Sequence, residues 1–592
     1  MDIFSVLALV GGLATFLYGM HIMGNGLETL AGSKLEQILE KMTSNRLKAA
    51  TLGLGVTAVI QSSSATTVMV IGLVNSKIIK LRQAIGVILG ANIGTTVTAW
   101  LLSLTGISST VLILQFCKPS AFSPILAATG VIFVMFLKSE KKHQLGIIFI
   151  GFAILMFGME TMSDSMAPLK DMPEFGQLMV MFTNPIFGLL VGMILTAIIQ
   201  SSSASVGILQ ALSLTTGSIT AGIAIPIVMG QNIGTCITAL LACIGTNKSA
   251  KRAAFAHLIA NTICSIILIT GFYTANMIFD FAFMDKAVGP VGIAAFHTAF
   301  NIFLVTCWLP IIGVLEKIVC RIVKDDKEEA IVETSKDKID FSILDDRLLM
   351  MPAFALRKAY EMTVEMAVKS KEALFKSIEV LENYDEAKAK MVFELEDEVD
   401  EYEDKIGTYL VKLSRQTLTS SDSHGLSMLL NSLGDFERMS DHAVNLAEAA
   451  MEKNSKCLEF SDAAQRELKV FSKAIREIVE MTVDVFENED NKNAVNIEPL
   501  EEVVDDINLM LKGRHIDRLR KGECTIELGF LLSDITTNFE RVVDHCSNIG
   551  IHVIQMDEDA MEAHGYLDTL RREENPDFKA KYAEYKEKYR LP

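Results

Sequence analysis

Two tetrads, Gln61-Ser62-Ser63-Ser64 and Gln200-Ser201-Ser202-Ser203, carry the residues whose types and spacing point most directly to chemistry. Both sit in long apolar runs. No charge occurs between Lys48 and Lys77, and 73 consecutive uncharged positions separate Glu174 from Lys248. Non-helical backbone survives at bilayer depth only where protein or a water-filled cavity surrounds it. The serines therefore predict one half-helix ending near the Gln and another starting at the hydroxyls. A helix start leaves several N–H groups unpaired and carries about half a positive charge. Two such ends meeting from opposite sides suit a compact oxyanion such as phosphate or sulfate. Close helix packing by small residues is the competing reading, but packing alone does not call for a Gln beside three serines, twice.

A second pair of interruptions is expected at Gly90 to Thr95 and Gly230 to Thr235. Exposed carbonyls, an Asn amide oxygen and Thr hydroxyls are hard oxygen ligands suited to a small alkali cation. Asn92, Thr95, Thr96, Asn232 and Thr235 are the sodium-binding candidates; a glycine kink within a span is the alternative. His257 with Asn261, and His297 with Asn301, each share a helical face and could bridge neighbouring helices or relay protons. Charged residues occur in the spans only near their ends, Glu160 being the deepest. Sodium is thus the better coupling ion, and no nucleophile–base constellation suggests an enzyme.

The elements that hold these residues are duplicated. Phe16-Leu17-Tyr18-Gly19-Met20 returns as Leu155-Met156-Phe157-Gly158-Met159, the QSSS segments return, and Asn92-Ile93-Gly94-Thr95 returns as Asn232-Ile233-Gly234-Thr235, at offsets of 139, 139 and 140. Three motifs in one register signal an internal repeat. Lys34, Lys41, Arg46, Lys48, Lys77, Lys80 and Arg82 flank the first QSSS region; Lys170, Asp171 and Glu174 precede the second, and residues 214–220 carry no charge. Basic loops stay cytoplasmic, so the two repeats are predicted to be inverted, with the N-terminus outside. Span one covers about 3–24. Residues 49–76 and 183–213 form re-entrant hairpins, and 83–117, 121–137, 144–163, 220–247, 253–275 and 288–316 cross. Met1-Asp2-Ile3 lacks the basic region of a secretory signal, so the first span is expected to be an uncleaved anchor. The cysteines are scattered without CxxC and read as reduced thiols.

Through Arg321 there are 18 basic and 12 acidic residues; the remainder has 36 and 60. The overall net charge of −18 therefore belongs to the tail, which argues against a nucleic-acid partner. After a charged linker at 321–346, helical apolar spacing marks segments at about 347–378, 384–415, 421–453, 459–489, 495–520 and 524–556, expected as a double three-helix bundle. The tail is duplicated as well. Phe436-Glu437-Arg438-Met439-Ser440-Asp441-His442 matches Phe539-Glu540-Arg541-Val542-Val543-Asp544-His545, and Glu396-Asp397-Glu398-Val399-Asp400 resembles Glu501-Glu502-Val503-Val504-Asp505. Each supplies carboxylates four apart on one helix face: Glu396 and Asp400, Glu437 and Asp441, Glu501 and Asp505, Glu540 and Asp544. Such pairs are either a solvated surface or a metal-chelating one.

The doubled QSSS, the following NIGT segments and their arrangement over about residues 1–320 resemble the type II sodium–phosphate cotransporter family. That resemblance implies symport of inorganic phosphate with Na+, the two QSSS regions forming the phosphate and sodium sites. The residues themselves reach only a small anion with a cation. Gln231 stands where the first repeat has Ala91, so the two ion sites need not be equivalent. The ERxxDH elements over about 347–556 resemble the PhoU family, which implies a regulatory domain with a divalent or iron-type metal cluster.

The expectation is an all-α polytopic protein: a transport domain at 1–320, with repeats at about 1–118 and 142–252 and closing spans at 253–275 and 288–316; a PhoU-like domain at 347–556; and a charged extension at 557–592. It is expected in a prokaryotic cell membrane with the tail cytoplasmic, where the tail could mediate a homodimer or meet a phosphate-signalling partner. Phosphate export, another oxyanion and a membrane-tethered phosphate sensor are the competing readings.

Overall fold

The computed structural model describes residues 2–42, 45–106, 118–324, 339–555 and 576–592, all-helical apart from one isolated bridge between Thr220 and Ala287. The chain divides into two compact units, Met1–Met351 and Pro352–Pro592.

The first unit contains α1 (Ile3–Met42), α2 (Arg46–Ile60), α3 (Ser63–Asn75), α4 (Leu81–Ser103), α5 (Pro119–Phe136), α6 (Glu140–Met166) and α7 (Pro173–Met181). It continues with α8 (Pro185–Ile199), α9 (Ser202–Thr216), α10 (Ala221–Ala242), α11 (Lys248–Phe279), α12 (Pro290–Trp308) and α13 (Ile312–Ile322). Among the described residues six helices are long and apolar enough to cross a bilayer, and α7 with α8 forms a further pair bent by 104°. The half-helices α2, α3 and α9 are too short to span about 30 Å of hydrocarbon.

Close approaches between helices fix their directions. Gly12 faces Gly158 and Gly19 faces Gly151, so α1 and α6 run antiparallel. These four glycines exchange under the 139-residue offset, and the pair is therefore a contact between like surfaces. In contrast, Gly90 lies on Ala50 and Gly94 on Leu54, so α2 and α4 run parallel; Gly230 on Leu189 and Gly234 on Met193 do the same for α8 and α10. Parallel α2 and α4 require the intervening α3 to return toward its starting side, as a hairpin does. A β-carbon at Gly90 would stand 1.8 Å from the Ala50 carbonyl oxygen, and one at Gly230 2.0 Å from that of Leu189.

α4, at about 1.5 Å per residue, is a ruler for the ends. At its start, Arg82 meets Glu316 at 3.0 Å. Beyond its far end, Gly106 lies against Pro290. The Pro290 carbonyl accepts from Gln210 Nε2 at 3.0 Å, and Val288 N donates to Ile219 O at 2.8 Å. The loops that close the two hairpins, at 76–80 and 217–220, thus lie at opposite ends of α4.

Several expectations need correction. The NIGT segments are not breaks: α4 and α10 run unbroken through them, because their glycines admit a neighbouring helix instead of releasing carbonyls. α1 continues to Met42 rather than ending near residue 24, and the crossing expected at 288–316 divides at Leu309 into α12 and the short α13. Ile312, Leu315 and Val319 are the buried face of α13. The stretch expected as the end of the 83–117 span, residues 107–117, lies outside the described residues, as does 325–338 of the linker.

The second unit has α14 (Pro352–Glu382), α15 (Glu386–Leu413), α16 (Ser420–Ser455), α17 (Asp462–Asn488), α18 (Asn491–Ala494), α19 (Ile497–Arg520), α20 (Ile526–Ile554) and α21 (Pro576–Lys588). α14 to α16 pack as one set of three and α17, α19 and α20 as another, joined through α16 and α20. The paired motifs seed equivalent cores. Phe436 packs edge-on against Phe486 at 5.0 Å, and Phe539, 103 residues on, against Phe471 at 5.4 Å. Of the expected extension, residues 557–575 lie outside the described residues; α21 docks with Tyr582 donating to Asp506 at 2.6 Å and Lys588 paired to Glu477.

Candidate functional site: paired helix breaks and an acidic trio

Both QSSS segments break the helix in the same way. Gln61 closes α2 in the left-handed region at φ 61°, ψ 17°, and Gln200 closes α8 at φ 59°, ψ 19°. Each Gln N–H returns to a Thr carbonyl four residues back, Thr57 or Thr196. Ser62 then caps α3, its Oγ accepting from Ala65 N at 3.2 Å, and Ser201 caps α9 by accepting from Ala204 N at 3.2 Å. The hydroxyl of the cap satisfies one orphan donor and leaves the N–H groups of the first two helical residues directed into the break.

The two breaks meet. Ser64 Oγ donates to the Gln200 carbonyl at 3.3 Å and lies 3.4 Å from Thr238 Oγ1. Gln61 is buried, accepting from Thr98 Oγ1 at 2.8 Å while its amide donates to the Ala58 carbonyl. Thr57 Oγ1 donates to Thr66 Oγ1 at 3.0 Å across the first break. Ser63, Ser202 and Ser203 are buried; Gln200 is exposed, so the halves are alike in backbone and unlike in access. At this junction the carbonyl ends of α2 and α8 adjoin the N–H ends of α3 and α9. Partial negative and positive poles thus stand side by side, able to hold a cation and an oxyanion together.

Sequence reasoning missed Thr98 and Thr238. They contact Gln61 and Ser64 respectively and stand 140 residues apart, in the register of the NIGT repeat, which was the signal available. The NIGT residues are buried beside the breaks on intact helices. Thr95, Thr96 and Thr235 donate to carbonyls of their own helices, and Asn232 Nδ2 donates to Val228 O. Asn92 Oδ1 lies 3.1 Å from His257 Nε2, joining α4 to α11. Asn261 and Asn301 donate to the carbonyls of His257 and His297 within their own helices.

In the second unit the carboxylates divide. Glu396, Asp400 and Asp441 bring ligand oxygens within 4.8 Å of one another. Burial first, then the neighbouring carboxylates, push Glu396 and Asp400 above the usual carboxylate range, and Glu437 shifts the same way. This trio fits a divalent cation, which would relieve that repulsion. The second set fits less well. Glu540 accepts from Asn508 at 2.7 Å with Lys512 at 3.6 Å, and Asp544 faces Arg541 at 3.5 Å, so these charges are met locally; Glu501 and Asp505 join no such group among the described residues. The motif histidines stack at 5.7 Å, His442 bonding Asn538 and His545 bonding Asp435, both at 2.8 Å. Burial of Asp435 is outweighed by hydrogen bonds from His545, His552 and Asn548, which hold it below the usual range.

A bundle of apolar helices around two adjoining helix breaks, followed by a helical domain with an acidic trio, defines a membrane transport protein with an attached helical module. Residues 15–164 and 166–289 match the Na+/Pi-cotransporter family, and residues 363–450 and 468–553 match the PhoU domain. The chain belongs to the Na+/Pi-cotransporter family and carries a PhoU domain. It is 32% identical over 307 residues to the uncharacterised Bacillus subtilis protein YqeW, covering 51% of this chain and 94% of that one. It is 23% identical over 559 residues to the "Putative inorganic phosphate export protein YjbB" of Escherichia coli K12, covering 94% and 98%. It is 33% identical over 101 residues to the human sodium-dependent phosphate transport protein 2B, covering 17% and 15%.

Proposed function

We propose that the protein is a secondary carrier coupling inward sodium flow to phosphate uptake, built from two inverted repeats. The observation that carries this reading is the contact of Ser64 with the Gln200 carbonyl, which puts both breaks at one place. Phosphate is held by the N–H groups at the starts of α3 and α9 and by the hydroxyls of Ser62 to Ser64 and Ser201 to Ser203. Sodium takes the carbonyl ends of α2 and α8, with Asn92, Thr95, Thr96, Asn232 and Thr235 supporting those ends from α4 and α10. The antiparallel crossing of α1 and α6 supports inversion, and the basic flanks of the first hairpin favour a cytoplasmic location for its ends and for the tail. The PhoU domain regulates transport, with Glu396, Asp400 and Asp441 as its metal ligands.

A second reading, export, is favoured by one observation: the relatives that match over 94% of this chain, both units included, bear the name of a phosphate export protein. Proteoliposomes with labelled phosphate placed outside or inside, and the sodium gradient imposed in either direction, separate the two. Uptake that follows inward sodium supports symport; efflux indifferent to sodium refutes it.

A further inference from the structure

One cavity outside the breaks has its own chemistry. A space of about 790 Å³ opens between the starts of α2 and α4 and the α12–α13 corner, lined by Arg46, Arg82, Lys317 and residues 310–314. Arg82 pairs with Glu316 at 3.0 Å. Arg46 donates to the Pro310 carbonyl at 2.7 Å, a contact that leaves its charge uncompensated. Among the described residues, three cations against one carboxylate give the cavity a positive excess of two. The start of α13, which has no side-chain cap, adds its N–H groups on the same side.

The rim is apolar. Leu47, Ile311 and Val314 are 60%, 49% and 49% exposed, while the opposite face of α13 is buried against the bundle. With Val314 and Lys317 both exposed, α13 offers apolar and basic groups side by side, the combination an anionic membrane interface attracts. Basic pockets among helices on the cytoplasmic side suit anionic lipid headgroups. A free anion would gain nothing from the exposed Leu, Ile and Val; a phosphodiester with acyl chains attached uses both features.

We propose that this cavity binds the phosphodiester headgroup of an anionic phospholipid, held by Arg46 and Lys317 between α2, α4 and α13. The choice of leaflet rests on the orientation proposed above, whereas binding is read without transport, so failure of one leaves the other standing. The bound lipid tethers α13, and with it the start of the linker, to the open end of the first hairpin, where α2 begins.

The test is native mass spectrometry of the delipidated full-length protein titrated with phosphatidylglycerol or phosphatidylcholine, with and without millimolar inorganic phosphate. Retention of phosphatidylglycerol over phosphatidylcholine is expected, weakened about tenfold or more in R46Q/K317Q and unchanged by inorganic phosphate. Should the double variant fail to fold, K317Q alone should show a smaller loss and R46K/K317R should retain the lipid. Equal retention of both lipids, or an unaffected R46Q/K317Q, overturns the proposal. Displacement by inorganic phosphate overturns it too, by making this a free-anion site.

Discussion

Replacing each site glutamine by glycine separates strain from function. Gln61 and Gln200 both hold left-handed backbone, which costs an L-residue about 1–2 kcal/mol. Glycine removes that strain but adds about 0.4–1 kcal/mol of chain entropy to the unfolded state. At exposed Gln200 the balance leaves Gln200→Gly a few tenths to about 1 kcal/mol more stable than the native chain. At buried Gln61 the same gain is opposed by Thr98, whose hydroxyl loses its acceptor, at about 1–3 kcal/mol. Gln61→Gly is therefore neutral or destabilised by up to about 3 kcal/mol. For a unit of 351 residues, 1 kcal/mol moves a melting temperature by roughly 1–2 °C, within reach of differential scanning fluorimetry in detergent. Sodium-dependent phosphate flux should fall at least about tenfold in both variants. A stabilised variant that no longer transports cannot be explained by unfolding. Normal flux in Gln200→Gly would remove that side chain from the site, and a lower melting temperature for it would refute the strain argument.

Two further outcomes follow from packing and charge. Gly90→Ala and Gly230→Ala must part α2 from α4, or α8 from α10, by more than an ångström, costing about 1–3 kcal/mol. Gly55→Ala, with nothing within 4 Å of its β-carbon inside α2, should instead gain about 0.5–1 kcal/mol and melt slightly above the native chain, and thermal scans of the three check this. In the second unit, the raised pKa values of Glu396, Asp400 and Glu437 mean that the folded state holds protons to higher pH than the unfolded state. Their contribution to stability is complete below the ordinary carboxylate range and is lost as pH rises through the folded values. At neutral pH a divalent cation at 100 times its Kd should restore about 2.7 kcal/mol, seen as a rise of about 5–10 °C in the tail's melting. Asp441→Asn should abolish the rise, and a native chain indifferent to metal would contradict the trio's assignment.

The breaks at Gln61 and Gln200 were legible because polar residues repeated in register inside apolar sequence have few structural uses. The NIGT segments misled for a related reason. Gly86, Gly90 and Gly94 recur every four residues on one face, a spacing that serves close approach between continuous helices, and composition alone does not separate approach from interruption. Thr98 and Thr238 escaped because a threonine in an apolar helix is unremarkable until its partner is known. The tail's helices were legible from their periodicity, yet its four carboxylate pairs looked equivalent. Only the fold shows Lys512, Asn508 and Arg541 meeting the charges of Glu540 and Asp544, residues the motif does not include.

The central claim is that the two breaks form one site for phosphate and sodium. Its most direct measurement is counterflow of labelled phosphate in proteoliposomes, with sodium equal on both sides or replaced by choline. The native chain should show counterflow with sodium alone, and a chain with alanine at Ser62 to Ser64 and Ser201 to Ser203 should insert normally and show none. Undiminished counterflow in the six-alanine chain would place the site elsewhere.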